Sequence, residues 1–154
     1  MGEGIQTEAT IRRTGCREET VFLDLVRTTD VLSRGLAQVL KGEDLSSTQY
    51  NVLRILRGAP DGLTCGEVGN RMITRDPDIT RLLDRLEKRT LITRCRETRD
   101  RRAVLVRIAP EGLKALARLD EPIQQAHRGQ LGHLGPKRLR ELGELLAACR
   151  SRLT

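Results

Sequence analysis

No stretch of this 154-residue chain approaches the ~18 consecutive apolar residues of a membrane span, and the opening Met-Gly-Glu-Gly-Ile-Gln lacks the basic-then-apolar order of a secretory signal. A cytoplasmic protein with no membrane partner is expected. Cysteine is sparse and scattered: Cys16, Cys65, Cys95 and Cys149 form no C-x-x-C pair and no Cys/His cluster of the zinc type, which leaves free thiols in a reducing compartment as the simplest account. His127 and His133 stand six residues apart and so miss the i,i+4 spacing that puts two metal ligands on one helix face. There is also no G-x-x-x-x-G-K-[ST] phosphate loop and no G-x-S-x-G nucleophile elbow. The carboxylates alternate with arginines along helix faces, as solvated pairs do. An enzyme is therefore disfavoured, and no catalytic residue, metal or cofactor is predicted.

What is abundant is arginine, and its placement is uneven. The chain carries a net charge of +7, and residues 71–107 contain twelve Arg/Lys against six Asp/Glu, so six of the seven excess positive charges fall in one quarter of the sequence. Charge spread evenly serves solubility, whereas a localised field attracts a polyanion. The length suits one domain with one core.

Residues 1–17 are polar and without period, which predicts a flexible tail. From Val21 the apolar residues Phe22, Leu25, Leu32, Leu36, Val39 and Leu40 keep a helical spacing to Lys41-Gly42, where the glycine is expected to supply a left-handed cap. Ser46-x-x-Gln49 and Thr64-x-x-Glu67 each have the form of a capping box, in which the hydroxyl accepts an orphan amide and the third residue reaches back to another. They predict two further helices, one running to Gly58 and one to about Met72, joined by the turn residues 59–62.

The next segment carries the chemistry. Asp76 before Pro77 predicts a helix start, since the carboxylate can cap free amides and proline already holds a helical φ. Behind it Ile79, Leu82, Leu83 and Leu86 define one buried face, and the opposite face presents Pro77, Arg81, Asp84 and Lys88, flanked by Thr80 and Arg85. Residues 91–96 and 103–108 alternate, with Val104, Val106 and Ile108 on one side, which predicts an antiparallel ribbon whose tip is Arg99-Asp100-Arg101-Arg102. A helix opens at Pro110-Glu111, and Pro122 predicts a kink or break near Glu121. After Gly135-Pro136, Leu139, Leu142, Leu146, Cys149 and Leu153 recur at spacings of 3 and 4, a coiled-coil-like seam. Cys65 and Cys149 fit buried helical positions and Cys95 a strand. The order helix, turn, arginine-rich helix and ribbon is that of a winged helix-turn-helix, mainly α with a small β-hairpin wing (α+β). Long apolar-striped helices at both ends favour a homodimer, and double-stranded DNA is the leading partner.

Three segments carry a family resemblance: LSSTQYNVL at 45–53, DITRLLDRLEKRTLI at 78–92 and DRRAVLVRIAPEG at 100–112. They are similar to the second-helix entry, the recognition helix with its following strand, and the wing signature of the MarR family of transcriptional regulators. Thr90 stands where that family usually has Gly, and Ala109 where it usually has Thr. The resemblance implies one domain over 18–153, with dimerisation helices at 18–42 and 111–153 around a DNA-binding lobe at 46–110. It also implies a homodimer whose wings straddle a pseudo-palindromic operator, usually to repress.

On that footing the amino-terminal end of the recognition helix enters the major groove and offers Thr74, Arg75, Asp76, Pro77, Asp78, Thr80, Arg81 and Arg85. Arg81 is the candidate for reading guanine O6/N7, and Asp76 for capping the helix. The resemblance puts Arg102 in the minor groove, with Asp100 steadying the loop and Arg99 and Arg101 on phosphates. Phe22, Leu25, Leu139, Leu142, Leu146, Cys149 and Leu153 are the candidate dimerisation residues. A small phenolic or anionic effector, in a pocket near Phe22 and Tyr50, is a further implication of the resemblance. Some family members sense oxidants through a cysteine near Cys16, but Tyr50 is the only tyrosine, and the aromatic hydroxyls that accompany a sensing thiol are absent. The competing readings are a sequence-neutral architectural DNA binder and a winged helix used for protein interaction.

Overall fold

The computed structural model describes residues 15–96 and 104–152. The predicted tail up to residue 14, the wing residues Arg99, Asp100, Arg101 and Arg102, and Leu153 lie outside them. Contacts divide the chain into two compact units, 1–33 and 34–154. The first unit holds most of helix α1 (Arg17–Leu40), which starts four residues earlier than the apolar period suggested. Along it Val21, Phe22, Leu23, Leu25, Val26 and Val31 are exposed.

The second unit begins at Arg34, about two turns before the fully buried Leu40 that ends α1, and continues through a one-turn 3-10 helix, Lys41–Glu43. Gly42 does not supply the left-handed residue; Asp44 does, at φ 52°. Its N–H reaches Lys41 O and the Leu45 N–H reaches Leu40 O, so the reversal sits between two buried leucines. Helix α2 (Ser47–Arg57) and helix α3 (Cys65–Arg71) start on the two predicted capping boxes, both fully formed. Between them Gly62, at φ 93°, closes a turn onto Ala59 O. Cys65 is half-buried, not buried, on the first turn of α3.

Helix α4 (Ile79–Lys88) is followed by strands β2 (Ile92–Arg96) and β3 (Val104–Ile108). The expected ribbon is a three-stranded antiparallel sheet of order β1-β3-β2, because a two-residue strand β1 (Leu63–Thr64) pairs with Val106 and Leu105. Val106 is buried at the centre, whereas Val104, on the same side, lies exposed near the hairpin end. Cys95 is on a strand, as read from the sequence.

The chain reverses between α4 and β2 at Thr90, a β-branched residue at φ 59°. The Thr90 N–H donates to Glu87 O (2.8 Å) and the Leu91 N–H to Leu86 O (3.0 Å), a Schellman end closed by the buried pair Leu86 and Leu91. Helix α5 (Pro110–Leu131) runs unbroken through Pro122, contrary to the expected break. Its buried Leu116, Leu119 and Ile123 share the core with α2 and α4, and that packing outweighs the one backbone hydrogen bond proline forfeits. Gly112 lets α5 approach the sheet: a Cβ there would fall on the Leu91 carbonyl oxygen and 2.8 Å from Ile108 Cγ1. Helix α6 (Gly135–Ser151) buries nothing within the chain; Leu139, Leu142 and Leu146 are half-exposed. Cys149, read as a buried position, is exposed, because no element among the described residues covers that face.

Candidate nucleic-acid interface

Helix α4 begins two residues later than the Asp-Pro pair suggested. Asp78 is the N-cap, its Oδ1 accepting from the Arg81 N–H at 3.2 Å. Asp76 instead closes the turn before it, with Oδ1 accepting from the Asp78 N–H at 2.8 Å, and Pro77 lies between them outside the helix. The carboxylate nearer the first helical turn takes the cap, and Asp76 is left to accept from the Asp78 N–H. Both acids spend an oxygen on free amides at the positive end of the helix dipole, where negative charge is favourable.

The turn carrying Thr74 and Arg75 is pinned from below. Met72 is buried, and the next residue's N–H, on Ile73, donates to Asn51 Oδ1 of α2 at 3.0 Å. The Ile73 side chain itself is 87% exposed. Across the turn, Thr80 Oγ1 stands 4.0 Å from Cys65 Sγ, joining the first turns of α3 and α4.

Helix α4 buries Leu82, Leu83 and Leu86, with Ile79 half-buried, and its remaining surface divides by charge. On the side facing β2, Asp84 and Glu87 are both engaged by Arg94: Nη1 lies 2.6 Å from Asp84 Oδ1 and 3.1 Å from Glu87 Oε2, while Nη2 donates to Thr80 O at 3.3 Å. The Arg94 side chain is only 24% exposed. Arg81, three residues before Asp84, does not pair with it, because a strand residue holds that carboxylate. On the other side the guanidinium groups of Arg81 and Arg85, one helical turn apart, make no hydrogen bond or ion pair with any described residue, and the same holds for that of Arg75. The acids of the recognition segment are thus capped by backbone amides or paired with a strand arginine, while the Arg75, Arg81 and Arg85 side chains stay uncommitted.

Arg81 and Arg85 line an open groove of about 630 Å³ between α4 and the start of α2, together with Lys41, Ser46, Thr48, Gln49, Asp76 and Asp78. Neither of the residues named for an effector lines it. Tyr50 is 7% exposed in the core of the second unit, its ring 5.8 Å from the Arg54 guanidinium carbon. Phe22 belongs to the first unit and is 62% exposed. The wing hairpin brings Arg96 opposite Val104, and residues 97–103 join them.

Sequence reasoning placed Arg81, Arg85 and Arg75 at the interface but missed Arg94, Asn51 and Arg89. A pointer to Arg94 was present: Asp84 and Glu87 sit one turn apart, a paired acidic site that calls for a cation. The Arg89 and Asn51 contacts join residues 22 to 46 positions apart, which no local spacing announces.

This arrangement of α2, α3, α4 and a three-stranded sheet is a winged helix-turn-helix, the architecture of a DNA-binding protein. Residues 45–104 match the family model described as the MarR family. A solved MarR transcription factor from Planctomyces limnophilus is 38% identical, with 88% of this chain and 99% of that one covered, at a TM-score of 0.67. Among curated proteins, the HTH-type transcriptional regulator FarR of Neisseria gonorrhoeae is 24% identical over 135 residues, covering 87% of this chain and 91% of its own. A mutant MarR of E. coli, solved with operator DNA, shares the fold at a TM-score of 0.77 and 24% identity, over 86% of this chain and 95% of that one. The chain belongs to the MarR family and is a DNA-binding transcriptional regulator. No helix among the described residues is long and apolar enough to cross a membrane.

Proposed function

We propose that the protein is a cytoplasmic, homodimeric repressor that binds a pseudo-palindromic operator through α4 and the wing. The reading rests on one observation: Arg75, Arg81 and Arg85 are uncommitted while the acids beside them are capped or paired. In the major groove Arg81 would meet guanine O6/N7, a bidentate contact worth ~1–3 kcal/mol against the wrong base. Arg75 and Arg85 would meet phosphates, with Thr74 and Thr80 beside them. Asp76, Pro77 and Asp78 shape the helix entry rather than touch bases. At the wing, Arg102 would enter the minor groove and Arg99 and Arg101 contact phosphates, with Asp100 steadying the loop. Two faces would build the dimer: the exposed stripe with Phe22 and Leu25 on α1, and Leu139, Leu142, Leu146, Cys149 and Leu153 on and after α6. A small phenolic or anionic effector that releases the DNA completes the proposal.

Selection from a random duplex library tests it. The expected product is an inverted repeat bound by a dimer, with affinity falling on the order of a thousandfold between about 50 and 200 mM salt if about six phosphates are neutralised. No enriched sequence would leave an architectural binder, and a flat salt response would remove DNA as the partner.

A further inference from the structure

Arg89 lies in the most basic quarter of the chain, yet its guanidinium is not free. It follows α4 directly, and its Nη1 donates to Asp44 O at 2.5 Å while Nη2 donates to Glu43 O at 2.9 Å. Those carbonyls end the 3-10 turn and would otherwise be orphans of a helix terminus. Glu43 in turn holds α5: its carboxylate accepts from Arg118 Nε at 2.6 Å and Nη2 at 2.7 Å, a bidentate pair. The Glu43 side chain is 18% exposed, and the Arg118 hydrogen bond holds its pKa below the usual carboxylate value. The strap spans two left-handed reversals, at Asp44 and Thr90, each closed by a buried leucine pair.

We propose that Arg89, Glu43 and Arg118 form one strap that sets the angle of α4 relative to α5, making Arg89 a positioning residue for operator recognition and not a phosphate contact. This rests on the reading that α4 faces DNA. Arg81 is eight residues from Arg89, about 12 Å along the helix axis. A tilt of about 10° at the strap would carry Arg81 about 2 Å sideways, beyond the few tenths of an ångström a hydrogen bond tolerates. The backbone carbonyls receive a planar fork, so lysine, with its point charge, replaces only part of the grip. Because Glu43 joins both arginines, losing either end should free the same element, and losing both should add little.

The test uses full-length protein and a duplex obtained by library selection. Wild type, Arg89→Ala, Arg89→Lys, Arg118→Ala and the double alanine variant are titrated over a salt series against that duplex and a scrambled one, with thermal melts beside them. The expected result for Arg89→Ala is a loss of about tenfold or more in specific affinity, unchanged affinity for scrambled DNA and an unchanged salt slope. Arg89→Lys recovers part of the loss. The double variant is expected to resemble Arg89→Ala, not the product of the two single effects.

A salt slope lower by about 0.9 in Arg89→Ala would show a phosphate contact instead. Equal losses on specific and scrambled DNA would show a merely structural role, and multiplicative losses would show two independent contacts; each of these overturns the proposal. Arg118→Ala changes an exposed side chain and keeps the test open if Arg89→Ala fails to fold: an unaltered specific affinity there would also overturn it. Normal wild-type binding that Arg81→Ala weakens and Arg89→Ala does not would refute the strap alone, whereas no wild-type binding would refute the functional reading with it.

Discussion

Replacing Thr90 by glycine should stabilise the protein. Thr90 holds φ 59° because both N–H groups of the reversal, its own and that of Leu91, must return to Glu87 O and Leu86 O. An L-residue in this left-handed conformation costs about 1–2 kcal/mol, and a branched Cβ lies towards the upper end. Glycine removes that cost but adds about 0.4–1 kcal/mol of freedom to the unfolded chain. The side chain is exposed. Its one hydrogen bond, Oγ1 to the neighbouring Arg89 O at 2.6 Å, is replaceable by water. The net gain is about 0.5–1 kcal/mol, which raises Tm by roughly 1–4 °C for a domain of this size. Thr90→Ala keeps a Cβ and should gain less than glycine. Thermal melts of the two variants decide it: a Tm at or below wild type for Thr90→Gly would mean that the reversal carries no such strain.

Arg94→Ala should weaken duplex binding by leaving the carboxylates of Asp84 and Glu87 on α4 without their cation, and adding Asp84→Asn and Glu87→Gln should restore much of it in an anisotropy titration. A triple variant as weak as the single one would remove charge masking as the cause. Gly112→Ala should cost about 1–3 kcal/mol by denaturant unfolding, since the new methyl meets a backbone carbonyl that cannot swing away. Acid should destabilise the fold: the carboxyls of Glu43 and Glu67 titrate below the usual carboxylate value, held there chiefly by the Arg118 hydrogen bond and by the Thr64 N–H respectively. A lowered carboxylate pKa contributes stability that is complete above the unfolded value and is lost as pH falls through the folded one. Tm should therefore drop below about pH 4.5, and Glu43→Gln should flatten that drop; an equal acid slope in the variant would exclude Glu43 as a contributor.

Elements whose signals are local could be read from the chain alone. Ser46-x-x-Gln49 and Thr64-x-x-Glu67 became complete capping boxes because hydroxyl, amide and third residue all lie within one turn. The apolar period of α4 likewise identified its buried face, and with it the exposed arginines. Features decided by distant partners were not legible. Strand β1 is two residues long and exists only because β3 offers an edge to it. Pro122 stays helical because packing around Leu119 and Ile123 holds both sides of it. Two carboxylates, Asp76 and Asp78, competed for one cap, and the winner depended on turn geometry that spacing does not encode. Arg89 and Arg94 looked like their neighbours in the sequence and differ from them only through tertiary contacts.

The most direct test of the central claim is a second library selection with Arg81→Ala beside wild type. Wild type should enrich an inverted repeat, and the variant the same repeat with preference relaxed at one base pair in each half, related by the dimer twofold. An Arg81→Ala motif identical to that of wild type, at equal affinity, would contradict the placement of α4 in the major groove.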